Sequence, residues 1–113
     1  MQITEHVLFN DLFDIYGSLL TERQYHAVQL HVRDDLSLSE TAEELGITKQ
    51  AVSDALTTAR TKLDDYESKL HMLQISAEIE KLIYILKQQE NISRDLYIQA
   101  DRLIALIKGS EEE

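Results

Sequence analysis

The sequence predicts an all-α fold in which a helix-turn-helix is followed by long C-terminal helices. Three observations point there. The 113 residues include 0 Pro and only 3 Gly, so few positions can break a helix or form a tight turn. Apolar residues recur at three- and four-residue steps along most of the chain. Two short segments, Thr21-x-x-Gln24 and Ser37-x-x-Glu40, have the spacing of capping boxes that open helices. A β-sandwich of this length would need more turn residues. Hydrophobic residues make up 43%, enough for the core of one small domain plus a helical extension.

Taken in order, the spacing predicts a first helix over residues 3–17, with Val7, Leu8, Leu12, Ile15 and Leu19 on its apolar stripe and Gly17 as its stop. Thr21 opens a second helix whose apolar face is Tyr25, Val28, Leu30 and Val32, and Asp34-Asp35 interrupts it. Ser37 opens a short helix over residues 38–45, ended by Gly46. Thr48 caps the next, which runs through Val52, Ala55, Leu56, Ala59, Leu63, Tyr66, Leu70 and Leu73. From Leu56 the steps are those of a coiled-coil seam. No Gly or Pro interrupts residues 47–108, so this helix is expected to run on well past a normal recognition helix or to bend near Gln74-Ile75-Ser76. Ile75, Ile79, Leu82, Ile83 and Leu86 continue the stripe, Asn91-Ile92-Ser93 reads as a break, and Leu96, Ala100, Leu103, Ile104 and Ile107 line a final helix. The resulting division is a helix-turn-helix domain at residues 1–65, a helical extension and dimerisation region at 66–108, and an acidic tail at 109–113.

The turn at Gly46 is the most specific feature. Two helices that cross steeply need a small residue at closest approach, and Ala42 lies four residues before Gly46. The turn itself favours a residue free to take positive φ, which Gly46 does without a Cβ penalty. Leu38, Leu45, Ile47, Val52 and Leu56 would fill the shared core, with Thr41 standing where an aliphatic residue is usual. The second helix would then show Thr48, Lys49, Gln50, Ser53, Asp54 and Thr57 outward, short polar side chains able to reach base edges, Gln bidentate to adenine among them. Arg60 and Lys62 would hold phosphate, with Arg23 and Arg33 as further cations. DNA is the expected ligand, with RNA as the alternative nucleic acid.

Charge limits how such binding could work. The formal net charge is −10, which argues against a protein that coats nucleic acid without regard to sequence, because that mode rests on neutralising phosphates. The distribution is uneven: residues 1–20 carry −3, residues 21–62 carry −2 and residues 63–113 carry −5, whereas residues 48–62 alone are +2. The alternative for an acidic chain with a helix-turn-helix is that the motif is directed at a basic protein partner.

Chemistry leaves little trace. With no Cys there is no disulfide, thiolate zinc site or cysteine nucleophile. His6, His26, His31 and His71 lack metal-ligand spacing, and Asp34-Asp35 and Glu43-Glu44 read as solvated carboxylates. No Gly-rich phosphate loop or nucleophile elbow occurs. The expectation is a binding protein and not an enzyme, with no metal and no cofactor. The start of the chain lacks the basic and apolar runs of a signal peptide, and no stretch approaches the ~18 apolar residues of a spanning helix, so a cytoplasmic protein with no membrane insertion is expected. The apolar stripes of residues 56–107 predict a two-fold homodimer, which would carry two recognition helices, at one DNA turn (~34 Å) if they read adjacent half-sites.

Several pieces together resemble the YlxM family of helix-turn-helix proteins of Gram-positive bacteria. They are Leu12-Phe13-Asp14-Ile15-Tyr16, Leu19-Leu20-Thr21-Glu22-Arg23-Gln24, Asp34-Asp35-Leu36-Ser37-Leu38-Ser39-Glu40, Thr48-Lys49-Gln50-Ala51-Val52 and Tyr66-Glu67-x-Lys69-Leu70, covering roughly residues 8–72. The same helix-turn-helix is similar to the promoter-reading region 4 of bacterial sigma factors, which shares the Leu-Thr-Glu-Arg and Leu-Ser-x-x-Glu pieces. The resemblance implies a regulatory DNA-binding protein with a role in the signal recognition particle (SRP) pathway, to which the family is tied by gene neighbourhood with the particle's GTPase and its receptor. It implies SRP components as partners. Its alternative is an SRP accessory factor that uses the fold for protein contacts without binding DNA. This chain departs from the family at His31-Val32, where an aromatic pair is frequent, and at Thr48-Lys49, where Ser-Arg is frequent. Lys keeps the charge there but lacks the planar fork of Arg.

Overall fold

The computed structural model describes residues 2–109, and side chains from Leu8 onward. Residues 110–113 of the acidic tail expected at 109–113, and the side chain of Val7, lie outside those limits. Six α-helices occur among the described residues, and no strand: α1 Gln2–Tyr16, α2 Glu22–Ala27, α3 Leu38–Leu45, α4 Lys49–Leu70, α5 Met72–Lys87 and α6 Arg94–Lys108. The fold is all-α, as the breaker-poor composition predicts. Two compact units meet in sequence at His71, one ending there and one beginning at Met72.

In the first unit, α1 buries Phe9, Leu12, Phe13 and Tyr16, an i, i+3, i+4, i+7 stripe. The expected stripe of Leu8, Leu12, Ile15 and Leu19 is displaced: Leu8 and Leu19 are exposed. The larger aromatic rings bury more area than the aliphatic residues beside them, and they set the inward face. Gly17 begins a 3-10 turn, Gly17–Leu19, where a Cβ would sit a tight 3.0 Å from ring atoms of Phe13. Thr21 then caps α2 with both bonds of its box, Gln24 N–H donating to Thr21 Oγ1 at 3.2 Å and Thr21 N–H to Gln24 Oε1 at 3.0 Å. The helix widens into a π-helix over Val28–Arg33, and Asp34 N–H donates to Gln29 O at 2.9 Å, the five-residue step of that form. It ends at Asp34-Asp35 as the sequence predicts, with Asp35 at φ +60. Ala27 and Val28 are its fully buried residues, whereas Tyr25 lies at the surface with its ring 5.0 Å from that of Phe13.

Ser37 opens α3 with a second complete box. Gly46 closes it at φ +68, and its N–H reaches back to the carbonyls of Ala42 and Glu43. A Cβ at Gly46 would meet nothing within 4 Å, so the demand on this residue is purely one of backbone angle. Thr48 caps α4, its Oγ1 accepting from Ala51 N–H at 3.0 Å. Helix α4 is the spine of the unit and packs against α1, α2 and α3. Val52, Ala59 and Leu63 are completely inaccessible, and Ala55 nearly so. The expected core residues Leu38, Leu45, Ile47 and Leu56 are half-buried.

Two expectations for the later chain need correction. The helix does not run on past residue 71 or bend near Gln74. It stops at His71, which takes φ +56 while its N–H still donates to Glu67 O at 2.9 Å. A non-glycine residue in this conformation costs roughly 1–2 kcal/mol, and no Gly or Asn announces it in the sequence. The first part of the seam from Leu56 turns inward in the first unit, while Leu70 is exposed and Leu73 belongs to the second. Ala59 and Leu63 are core, Tyr66 stacks on Tyr16 with ring centroids 5.6 Å apart, and Tyr16 Oη donates to Glu67 Oε1 at 2.8 Å.

The second unit is a helix pair, α5 and α6, joined through a turn at Asn91 (φ +60), with Ser93 capping α6 through Leu96 N–H at 3.1 Å. The break at Asn91-Ile92-Ser93 is where the sequence places it. Gly109 closes α6 at φ +74. No helix among the described residues is long and apolar enough to cross a membrane.

Candidate nucleic-acid interface

The outer face of α4 is displayed by the turn at Gly46-Ile47-Thr48. Ile47 N–H donates to Ala42 O at 3.0 Å, which closes the corner and holds the start of α4 beside α3. Ala42 is buried at this corner, in accord with the need for a small side chain. Thr41, one residue earlier, is fully buried, and its Oγ1 has no hydrogen-bond partner.

On α4 the eight candidate residues separate into groups. Thr48, Lys49, Gln50, Asp54, Thr57 and Arg60 are exposed, and Ser53 and Lys62 are half-buried. At about 100° per residue, Lys49, Gln50, Ser53, Asp54 and Thr57 share one side of the helix, opposite Val52, Ala59 and Leu63. They span about 12 Å of helix axis at ~1.5 Å per residue, a length that fits a groove. Thr48 is part of the turn, and its hydroxyl oxygen is engaged in the cap. Gln50 Nε2 donates to Asp54 Oδ1 at 3.0 Å, which leaves the Gln50 carbonyl oxygen and one amide hydrogen for a ligand.

Of the phosphate-holding candidates, Arg60 falls on the same side of α4 as Lys49 and Ser53, just past Thr57, and its guanidinium rests 5.0 Å over the ring of Phe9. Lys62 falls roughly 80° to the other side of the buried stripe, away from Lys49 and Ser53 by the same helical count. Arg33 is committed to α1: it bonds Asn10 Oδ1 at 2.8 Å and Asp14 Oδ1 at 2.5 Å and lies 4.8 Å over Phe13. Arg23 is a further cation near this face. It is exposed beside α4, where Thr21, Arg23 and Gln24 share an open depression of about 270 Å³ with Ala51, Asp54, Ala55 and Thr58. Sequence spacing could not pair Gln24 with the interface, because only the packing of α2 on α4 brings them together. The exposed carboxylates of Glu40, Glu43 and Glu44 lie along α3. Among the described residues no group of three or more His, Asp or Glu is arranged to hold a metal ion.

The sequence model of family UPF0122, helix-turn-helix proteins that are YlxM / p13 like, matches residues 3–103. The chain belongs to this family. A UPF0122 protein of Bacillus thuringiensis (strain Al Hakam) is 41% identical over 91 residues, covering 77% of this chain and 83% of the relative. A UPF0122 protein of Streptococcus gordonii is 44% identical over 72 residues, covering 64% of this chain and 66% of the relative. One from Streptococcus pneumoniae (strain Hungary19A-6) shows the same identity over the same length. The UPF0122 match extends well past residue 72, so it includes most of the α5–α6 pair and not the helix-turn-helix alone.

Proposed function

We propose that this UPF0122 member is a regulatory protein that binds nucleic acid, DNA first, through the outer face of α4. The observation that carries this reading is the division of α4 into a sealed face and a continuous polar one. Val52, Ala59 and Leu63 are inaccessible, while Lys49, Gln50, Ser53, Asp54 and Thr57 lie together on the other side. Gln50 and Ser53 offer hydrogen bonds to base edges, Asp54 accepts from cytosine amino groups, and Lys49 with Arg23 supplies positive charge next to the backbone. The activity is recognition, without catalysis or cofactor. A cytoplasmic role in the SRP pathway rests on the family resemblance.

The test is fluorescence anisotropy of the full chain with a random-sequence DNA duplex and with SRP RNA, at several salt concentrations. Binding should weaken as salt rises. Lys49→Ala should flatten the slope of log K against log salt by about 0.9, the contribution of one phosphate contact. Binding that responds neither to salt nor to Lys49→Ala overturns this reading.

One observation favours a second reading. Glu40, Glu43 and Glu44 are exposed on α3 beside the same corner, in a chain of net charge −10. That surface suits a basic protein, and the fold would then serve as an SRP accessory factor. Co-purification with and without nuclease separates the readings: a partner that survives nuclease supports the second, and a partner lost with the nucleic acid rejects it.

A further inference from the structure

The α5–α6 pair has the surface of half a core. Among its described residues only Ile83 and Ala100 are buried. A polar link between the two helices lies on one side: Lys87 Nζ donates to Asp101 Oδ1 at 2.6 Å and lies 4.6 Å over the ring of Tyr97, while Lys81 and Glu78 pair at 3.6 Å within α5. At about 100° per residue, Ile75 and Leu82 lie at least ~120° around α5 from Lys87, and Leu103 and Leu106 lie at least ~120° around α6 from Tyr97 and Asp101. Both helices therefore turn an apolar side away from the ion pair. These four side chains are 44%, 58%, 42% and 74% exposed.

Area and charge together identify what covers this side. With Leu96, five large apolar residues at 41–74% exposure lie on it. Taking ~150 Å² for each side chain, they present roughly 400 Å² of apolar surface. A standard interface of ~800 Å² per partner, a little over half of it apolar, needs about that much. Residues 72–108 contain five acidic and five basic side chains and so carry no net charge, whereas the rest of the chain carries the whole −10. Two copies of the chain repel each other elsewhere and meet at this pair of helices without net repulsion. An unpaired two-helix unit leaves this apolar side in water, and a second pair covers it.

We propose that the face of α5–α6 bearing Ile75, Leu82, Leu103 and Leu106 is the docking surface for a second copy of this chain. The two pairs close into a four-helix bundle about a two-fold axis. This surface is independent of the α4 reading, and each can fail without the other.

The experiment is sedimentation equilibrium on the full chain at tens of micromolar, with helix content followed by circular dichroism. The wild type should show twice its 13.0 kDa chain mass. Leu82→Lys with Leu106→Lys should return it to the single-chain mass with helix content kept, because both side chains already face solvent within one chain. Tyr84→Lys, 67% exposed and on the side of the ion pair, should leave the dimer intact. If the double variant loses helicity, Leu106→Gln alone is read instead and should raise the dimer Kd at least tenfold. A wild type at 13.0 kDa overturns the proposal. So does a dimer that survives both Leu82→Lys/Leu106→Lys and Leu106→Gln, or one that Tyr84→Lys disperses equally well.

Discussion

The two units of this chain use the same helical periodicity to opposite ends. In the first, the apolar stripes of α1, α2, α3 and α4 converge, and α4 is sealed at Val52, Ala59 and Leu63. In the second, stripes of equal regularity leave Leu82 and Leu106 in solvent and bury only Ile83 and Ala100 among the described residues. Periodicity states which residues share a face. The number of neighbouring elements decides whether that face is covered. Four helices surround a volume, and two can only touch along a line.

The largest test of this contrast is Leu63→Ala. Removing a fully inaccessible leucine should cost roughly 2–5 kcal/mol in urea unfolding. Leu82→Ala, at 58% exposure, should cost a single chain less than about 0.5 kcal/mol, and any larger loss must grow with protein concentration, as loss of association does. Equal, concentration-independent losses at the two sites would erase the distinction between the units.

Thr41 sharpens the picture within the first unit. Its side chain is fully buried with the hydroxyl unpartnered, so Thr41→Val should raise stability by about 1–2 kcal/mol. The denaturation midpoint should move up with an unchanged slope. A loss of stability would mean that the hydroxyl serves the corner.

The smallest effect concerns the second unit and pH. The hydrogen bond to Asp101 raises the pKa of Lys87 above the ordinary 10.5, and the attraction of Asp101 and Tyr97 adds to this against some desolvation. A group whose folded pKa is raised stabilises the fold below its unfolded pKa and loses that contribution as pH climbs through the raised value. The pair is exposed, so the effect is slight. The difference in helix content between wild type and Lys87→Met should be constant below the lysine range and vanish in strong alkali. A difference that persists there would assign the contact to packing of the lysine stem.

Much of this architecture was legible residue by residue. Both capping boxes, the Gly46 turn, the Thr48 cap and the break at Asn91 are local devices, each satisfied by atoms within five residues, and sequence spacing reports such devices directly. The face of α1 was misjudged because its aromatic residues outweigh the aliphatic steps beside them. The stop at His71 was invisible because no Gly or Asn marks it, although the residue takes φ +56. In the candidate interface, the polar run from Lys49 to Thr57 was readable as the outer face of one helix. The positions of Arg23, Arg33, Arg60 and Lys62 were not, since a long cation goes where other helices allow: Arg33 to Asp14, Arg60 to Phe9.

The sequence by itself determined that this chain is helical, where most of its helices start, and that two of them meet at a glycine corner. Those outcomes depend on capping, breaker residues and 3.6-residue periodicity, which act within one or two turns. Only the tertiary structure decided which stripes become core and which remain surface, where the long cations rest, and that the extended apolar run divides at His71. Those outcomes depend on burial against residues dozens of positions away, and the hydrophobic effect rewards removing area from water without regard to which segment covers it.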